Sequence, residues 1–211
     1  MVTMNARRVA LFFSMICGMS GASAQLGPES VDKAAKLEPG QSVFSGNTKI
    51  TLNQRDAGTK DADGWFLVKS AKDGFSVRFP APITDETHYI RGGNGASIEQ
   101  NNLSARTSTM NFVVGCTKDR NHRISADTVH QVVTAIAGLS HQFASAPFKN
   151  GALVGTEYSG IDPKGTYFAG QSFMLGEQFC QFLVGSREPF NGIPAQARTA
   201  FDSFRPEDVR Q

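Results

Sequence analysis

Two cysteines, four histidines and a scatter of hydroxyls and acids are what this chain offers for chemistry. Cys116 alternates in phase with Phe112 and Val114, and Cys180 in phase with Phe182 and Val184. Both thiols therefore face apolar layers, on strands that one sheet could bring together. A disulfide would close a loop of 65 residues (180 − 116 + 1), a constraint on the unfolded chain of about 4 kcal/mol before strain is subtracted. Buried free thiols, or a nucleophile, are the alternatives. A catalytic cysteine calls for a helix N-terminus or a cationic neighbour, and the residues around these strands show neither. The disulfide is the expectation.

The histidines are His88, His122, His130 and His141. His130 and His141 fall on one helical face in a reading that continues the helix through both, yet about 16 Å apart along its axis, too far for one metal. No HExxH, CxxC or H-x-H occurs. A triad of Cys116, a histidine and Asp162 can be written down, as in most chains of this size. Gly170-Gln-Ser172-Phe-Met174 lacks the last glycine of a nucleophile elbow. Gly92-Gly-Asn-Gly95 has no Lys-Ser/Thr after it and no helix beside it, so it reads as a hairpin turn and not a phosphate cradle. No catalytic, cofactor or metal residue is assigned, and no cofactor is expected.

The first 24 residues carry an address. Arg7 and Arg8 precede an apolar run from Val9 to Met19, and Ala22-Ser-Ala24 supplies an A-x-A cleavage site. This predicts a signal peptide removed after Ala24, hence a periplasmic or secreted bacterial protein. Ordinary Sec export is expected over the twin-arginine route, and Ile16 before Cys17 rules out a lipobox. Of 21 Lys+Arg and 19 Asp+Glu, the signal takes two cations, so the mature chain is neutral. The basic precursor is thus no pointer to nucleic acid. No other apolar run is long enough to span a membrane. Removing 24 of 211 residues leaves 187, and two cysteines in an oxidising compartment. Asn102-Leu-Ser104 matches a glycosylation sequon, to which a signal peptide and short leader suited to a Gram-negative bacterium give little weight.

The elements follow. Residues 25–63 are rich in Gly, Pro, Asp and Asn and read as a flexible leader, in which Thr48–Asn53 alternates weakly enough to add one edge strand. A single domain is expected over 64–206 and a tail over 207–211. Trp65–Lys69 and Phe75–Phe79 form a hairpin about Asp73-Gly74, with Phe75, Val77 and Phe79 inward. His88–Ile90 pairs with Ala96–Asn101, and Arg106–Cys116 is a further strand. Val129, Val132, Val133, Ile136, Leu139 and Phe143 make a helical stripe, predicting a helix over Ala126–Ala144 capped by Ser125. Strands at Ala152–Tyr158, Thr166–Leu175 and Phe179–Ser186 follow in hairpin order, then a helix from Pro194 to Phe204 with Ala197, Ala200, Phe201 and Phe204 inward. Strands, helix, strands, helix is an α+β order.

Sixteen phenylalanines are the one bias of composition. They serve either as a core of large rings or as the lining of an apolar cavity. Phe168 and Phe173 have opposite parity, so this strand offers apolar groups to both faces. Trp65, Lys72-Asp-Gly-Phe-Ser-Val-Arg-Phe-Pro80, Gly155-Thr-Glu-Tyr158, Gly165-Thr-Tyr-Phe168 and Ala200-Phe-Asp-Ser-Phe204 together resemble the PsbP/Mog-like fold family. That resemblance implies a twisted antiparallel sheet of six to seven strands flanked by helices, an α/β/α sandwich, and an accessory or binding role. The expected function is an exported, non-enzymatic accessory protein binding a protein or envelope component through a face or edge of its sheet. The alternatives are a carrier of a small apolar ligand and a hydrolase of envelope polymers.

Overall fold

Period-two alternation governs most of this chain, and most of it is strand. The computed structural model describes residues 37–45, 48–91, 97–119, 124 and 126–207. The expected signal peptide, the glycine turn at 92–95, His122, Ser125 and the last four residues lie outside them. The strands are β1 (Ser42–Ser45), β2 (Thr48–Ala57), β3 (Thr59–Lys60), β4 (Phe66–Ser70), β5 (Phe75–Phe79), β6 (Ile83–Arg91), β7 (Ser97–Arg106) and β8 (Met110–Asp119). Helix α1 (Ala126–Leu139) precedes β9 (His141–Asn150), β10 (Leu153–Ile161), β11 (Tyr167–Leu175) and β12 (Gln178–Ser186). Helix α2 (Ala195–Asp202) and β13 (Arg205–Pro206) close the chain.

Nine strands form one antiparallel sheet in the order β1-β2-β6-β7-β8-β12-β11-β10-β9, and four form a second, β13-β5-β4-β3. The expected sandwich is therefore corrected: 58% of the structure is strand and 14% helix, and a nine-stranded sheet with a second sheet replaces six or seven strands between helices. Two physical reasons account for it. The stretch read as a leader contributes β1, β2 and β3, its weak alternation being enough to turn Ile50 and Leu52 inward to 7% and 1% exposure. The expected long helix also stops early. The Ser140 hydroxyl donates back to the Ile136 carbonyl, Gln142 takes φ 51°, and the next residues pair along β10 from Asn150–Leu153 to His141–Ile161. Phe143 keeps its place beside the helix stripe from the strand, its ring 6.1 Å from Tyr158.

Three layers result. Helix α1 lays Val129, Val132, Val133 and Ile136 on Tyr158, Phe168, Phe179 and Leu183 of the large sheet. The opposite face, with Phe112, Val114, Phe173 and Phe182, packs under the small sheet and α2. Phe168 and Phe173 indeed fall on opposite faces. The phenylalanines of this second layer meet ring to ring: Phe75 on Phe204 at 4.6 Å and Phe182 on Phe201 at 4.8 Å. The β4–β5 hairpin forms as read, with Gly74 at φ 74° in its turn. Pro194 stands at the start of α2, and Ala197, Ala200 and Phe201 are its buried face; the helix ends at Asp202, short of the expected Phe204, which is buried just beyond it. Strand β8 starts later than expected, at Met110, because Thr107 accepts the Met110 amide in a turn after β7; Phe112, Val114 and Cys116 keep the expected phase.

Candidate binding face

Cys116 and Cys180 are direct partners in the β8–β12 ladder. Their sulfurs are 2.06 Å apart, disulfide distance, and the residues are 1% and 0% exposed. The other candidates do not converge on them. The Asp162 carboxylate accepts the Lys164 and Thr166 amides, each at 2.8 Å, and so closes the β10–β11 turn. His130 is exposed on α1, His141 is exposed on β9, and His88 lies on β6. Among the described residues no three His, Cys, Asp or Glu side chains gather in a way that could hold a metal.

Two polar clusters that sequence reasoning missed are buried in the large sheet, one on each face. The first lies under the β4–β5 turn. Lys72 Nζ pairs with Glu99 at 2.6 Å and donates to Asn101 Oδ1 at 2.8 Å. The Asn101 amide donates to Asp73, which also accepts the Ser70 hydroxyl. Asn53 donates to Asp85 and Thr87. Backbone carbonyls of the turn take Lys118 and Gln178. This cluster straps the hairpin to the sheet. Burial pushes the Asp85 carboxyl up, more than the Asn53 hydrogen bond pulls it down, and Asp73 adds to the rise.

The second cluster faces α1. Register aligns Glu86, Asn102, Gly115, Gln181, Ser172 and Thr156 as one row, straight across six strands from β6 to β10. Direct cross-strand partners share a face, so one line of polar groups crosses an otherwise apolar surface. His88, Gln100 and Thr117 continue it in the next row. Tyr158 leans in from the other side, because its partner Gly170 has no side chain: a Cβ there would meet the Tyr158 ring at 2.8 and 2.9 Å. The ring crosses β11, and Tyr158 Oη and Ser172 Oγ share a hydrogen bond of 3.0 Å. Gln181 Nε2 donates to both, at 3.1 Å each. Burial pushes the Tyr158 phenol up to about 12, against the hydrogen bonds from Ser172 and Gln181 that pull it down, so it stays protonated. Gln100 Nε2 donates to Asn102 Oδ1, and Glu86 pairs with His88 at 3.0 Å.

This row has loose ends, and the strap has one too, the buried Gln178 Oε1. Gln181 Oε1 and Thr117 Oγ1 are fully buried and find no hydrogen-bond partner. Leaving a buried acceptor unsatisfied costs about 1–3 kcal/mol, a cost that native interiors seldom carry without a reason. Exposure falls along the row, from 22% at the Glu86 and His88 side chains, through 6–8% at Gln100 and Asn102, to 0–1% at Gln181 and Thr117. Ser172 has a phenol and an amide as partners, neither of which is a base, so the row is suited to holding hydrogen-bonding groups and not to activating a nucleophile. The Asn102 of the sequon is 8% exposed within this row.

The strand run Glu99-Gln-Asn-Asn102 was the signal in the sequence: four successive polar residues, all at most 8% exposed, with two serving each cluster. No family model matches the chain, and no curated protein or solved structure matches it either.

Proposed function

We propose that this chain is an exported binding protein whose working surface is the α1-side face of the nine-stranded sheet, its partner a protein or another envelope component. The observation that carries the reading is the polar row, in which Gln181 Oε1 and Thr117 Oγ1 are buried without partners on a line that runs out to the part-exposed Glu86–His88 pair. Buried polar groups left open along a line that reaches the surface at one end are one mark of a site that binds something. Of the described helices, α1 is the one on this face, packed on strands β10–β12. Export rests on the Arg7-Arg8 pair, the apolar run and the A-x-A site, and the close cysteine pair is compatible with it.

The test is site-specific photocrosslinking in the native host. A benzophenone side chain replaces His88 at the open end of the row, or Lys164 in the exposed β10–β11 turn as control. Light-dependent products from position 88 alone support the reading. No products, or the same products from both positions, overturn it.

A further inference from the structure

We propose that the Lys72 amine and the Asn101 side-chain amide condense to an isopeptide bond, a covalent tie between the small sheet and the large one. The bond belongs to the strap under the β4–β5 turn, on the opposite face from the polar row.

The strap holds in contact the parts that such a reaction needs. Lys72 Nζ lies 2.8 Å from Asn101 Oδ1. A C=O bond is about 1.2 Å long, so the nitrogen is no more than about 4 Å from the carbon it attacks. Glu99 stands two residues before Asn101 on the same face of β7, and its carboxylate is 2.6 Å from the same nitrogen. It is placed to take a proton and leave a nucleophilic amine. The Thr87 hydroxyl donates to Asn101 Oδ1 at 3.0 Å, where negative charge develops as the carbon becomes tetrahedral. Asn53 donates to Thr87 Oγ1 at 2.9 Å, which keeps the hydroxyl hydrogen directed at Asn101. Asp73 accepts from Asn101 Nδ2 at 2.8 Å, so the amide turns its oxygen, and not its nitrogen, to the lysine.

Placement and enclosure come from the fold. The Asp73 and Gly74 amides close the turn on the Ser70 carbonyl, and Lys118 Nζ donates to the Lys72 carbonyl at 3.0 Å, so the root of the lysine is fixed over the large sheet. Glu99, Asn101, Thr87 and Asp73 are at most 8% exposed, which keeps water from competing with the amine. The Lys72 side chain is half exposed and leaves the released ammonia a way out. An amine and an amide held this way react as parts of one molecule, with the gain in effective concentration that fixed geometry supplies.

The step balances without a co-reactant. The Lys72 ammonium gives one proton to Glu99, the freed pair forms a bond to Asn101 Cγ, and the C=O π pair moves onto Oδ1. The carbonyl re-forms as the Cγ–Nδ2 bond breaks with its pair on Nδ2, which takes the proton back from Glu99 and departs as ammonia. Ammonia then removes the surplus proton from the new amide nitrogen. One lysine ammonium and one carboxamide become one secondary amide and one ammonium ion, and Glu99 is unchanged.

The experiment is mass spectrometry of the mature exported chain, reduced, both intact and after trypsin. The expected intact mass lies below the sequence value by one ammonia, about 17 Da. Gln25 at the cleaved N-terminus can lose the same ammonia by cyclising, so the digest decides. It should contain a branched peptide in which Ser70–Arg78 is joined through Lys72 to Gly92–Arg106. Lys72→Arg and Glu99→Gln should each lack it. Linear peptides alone in the parent digest, or a branched peptide formed as fully in Glu99→Gln, overturns the inference. The parent digest needs no variant, so a variant that fails to fold leaves it decisive.

Discussion

Gly170→Ala tests whether the Tyr158–Ser172–Gln181 contact depends on a missing side chain. A Cβ at 170 would lie 2.6 Å from Leu183 Cδ2 and 2.8 and 2.9 Å from two Tyr158 ring carbons, whereas carbon atoms settle about 3.5–4.0 Å apart. The Leu183 methyl can rotate away; the tyrosine ring is stiff and must retreat by about half an ångström or more. Tyr158 Oη holds Ser172 at 3.0 Å and Gln181 at 3.1 Å, so that retreat breaks or bends both contacts. Overpacking costs about 1–3 kcal/mol, and a weakened buried hydrogen bond adds about 1. Against this, replacing glycine returns about 0.5–1 kcal/mol by restricting the unfolded chain. The net expectation is a loss of roughly 2–3 kcal/mol, read as a lower urea midpoint by circular dichroism at pH 7 with an unchanged m-value. In a Tyr158→Leu background the same substitution should cost less than about 1 kcal/mol, because the ring that collides is gone. A loss below about 0.5 kcal/mol in the parent, or an equal loss in both backgrounds, refutes the reasoning.

Denatured, unreduced mature protein should show no reactive thiol on titration; two per chain would remove the Cys116–Cys180 link, whose double alanine replacement should otherwise cost up to about 4 kcal/mol. Burial pulls the Glu157 carboxyl up, but hydrogen bonds from Arg198 (2.6 and 2.9 Å) and Gln171 together outweigh it and hold it below the ordinary range. A lowered folded pKa gives stability that is present above the unfolded value and lost as pH falls through the folded one. Glu157→Gln should therefore destabilise at pH 7, with a penalty that shrinks below about pH 4 in denaturant melts; a penalty independent of pH contradicts the pairing. Asp85 has the opposite sign: its folded pKa is raised, so its ionised form subtracts from stability above that value. Asp85→Asn, which keeps an oxygen for Asn53, should stabilise at pH 7, and the gain should fade as pH drops through the raised pKa. A destabilised variant at pH 7 would show that the carboxylate charge is needed in the strap.

Local patterns were legible, and pairings between distant strands were not. Phe75, Val77 and Phe79 declare their strand by alternation, and Asp73-Gly74 declares its turn, because both signals are contained within a few residues. Phe143 fits the helical stripe of α1 and the inward phase of β9 equally well, so the sequence has no means of stopping the helix at Leu139; the pairing with β10 decides it. Ile50 and Leu52 are two apolar residues in a polar setting, too few to outweigh composition until β6 is beside them. The resemblance carried by Lys72–Pro80 and Ala200–Phe204 drew on short structural motifs, and the architecture it implied is not the one formed. The polar row was least accessible of all. Its members come from six strands, and only the register makes them neighbours, where a slip of one residue would send each to the opposite face. What could have been noticed is that Gln100 and Asn102 sit in a strand with Glu99 and Asn101 between β-branched and apolar flanks, too polar a stretch for a face that water does not reach.

The ladder between β8 and β12 joins a run of neighbouring strands made early in the chain to a meander of successive hairpins made late. Each half can zip up from nearby segments, whereas this junction must wait for residues 64 apart to meet. The two sulfurs sit at that junction, so oxidation traps the moment when the halves have docked. Its formation would then act as a clock for completed assembly, with earlier species still reduced and their inner faces open to folding helpers.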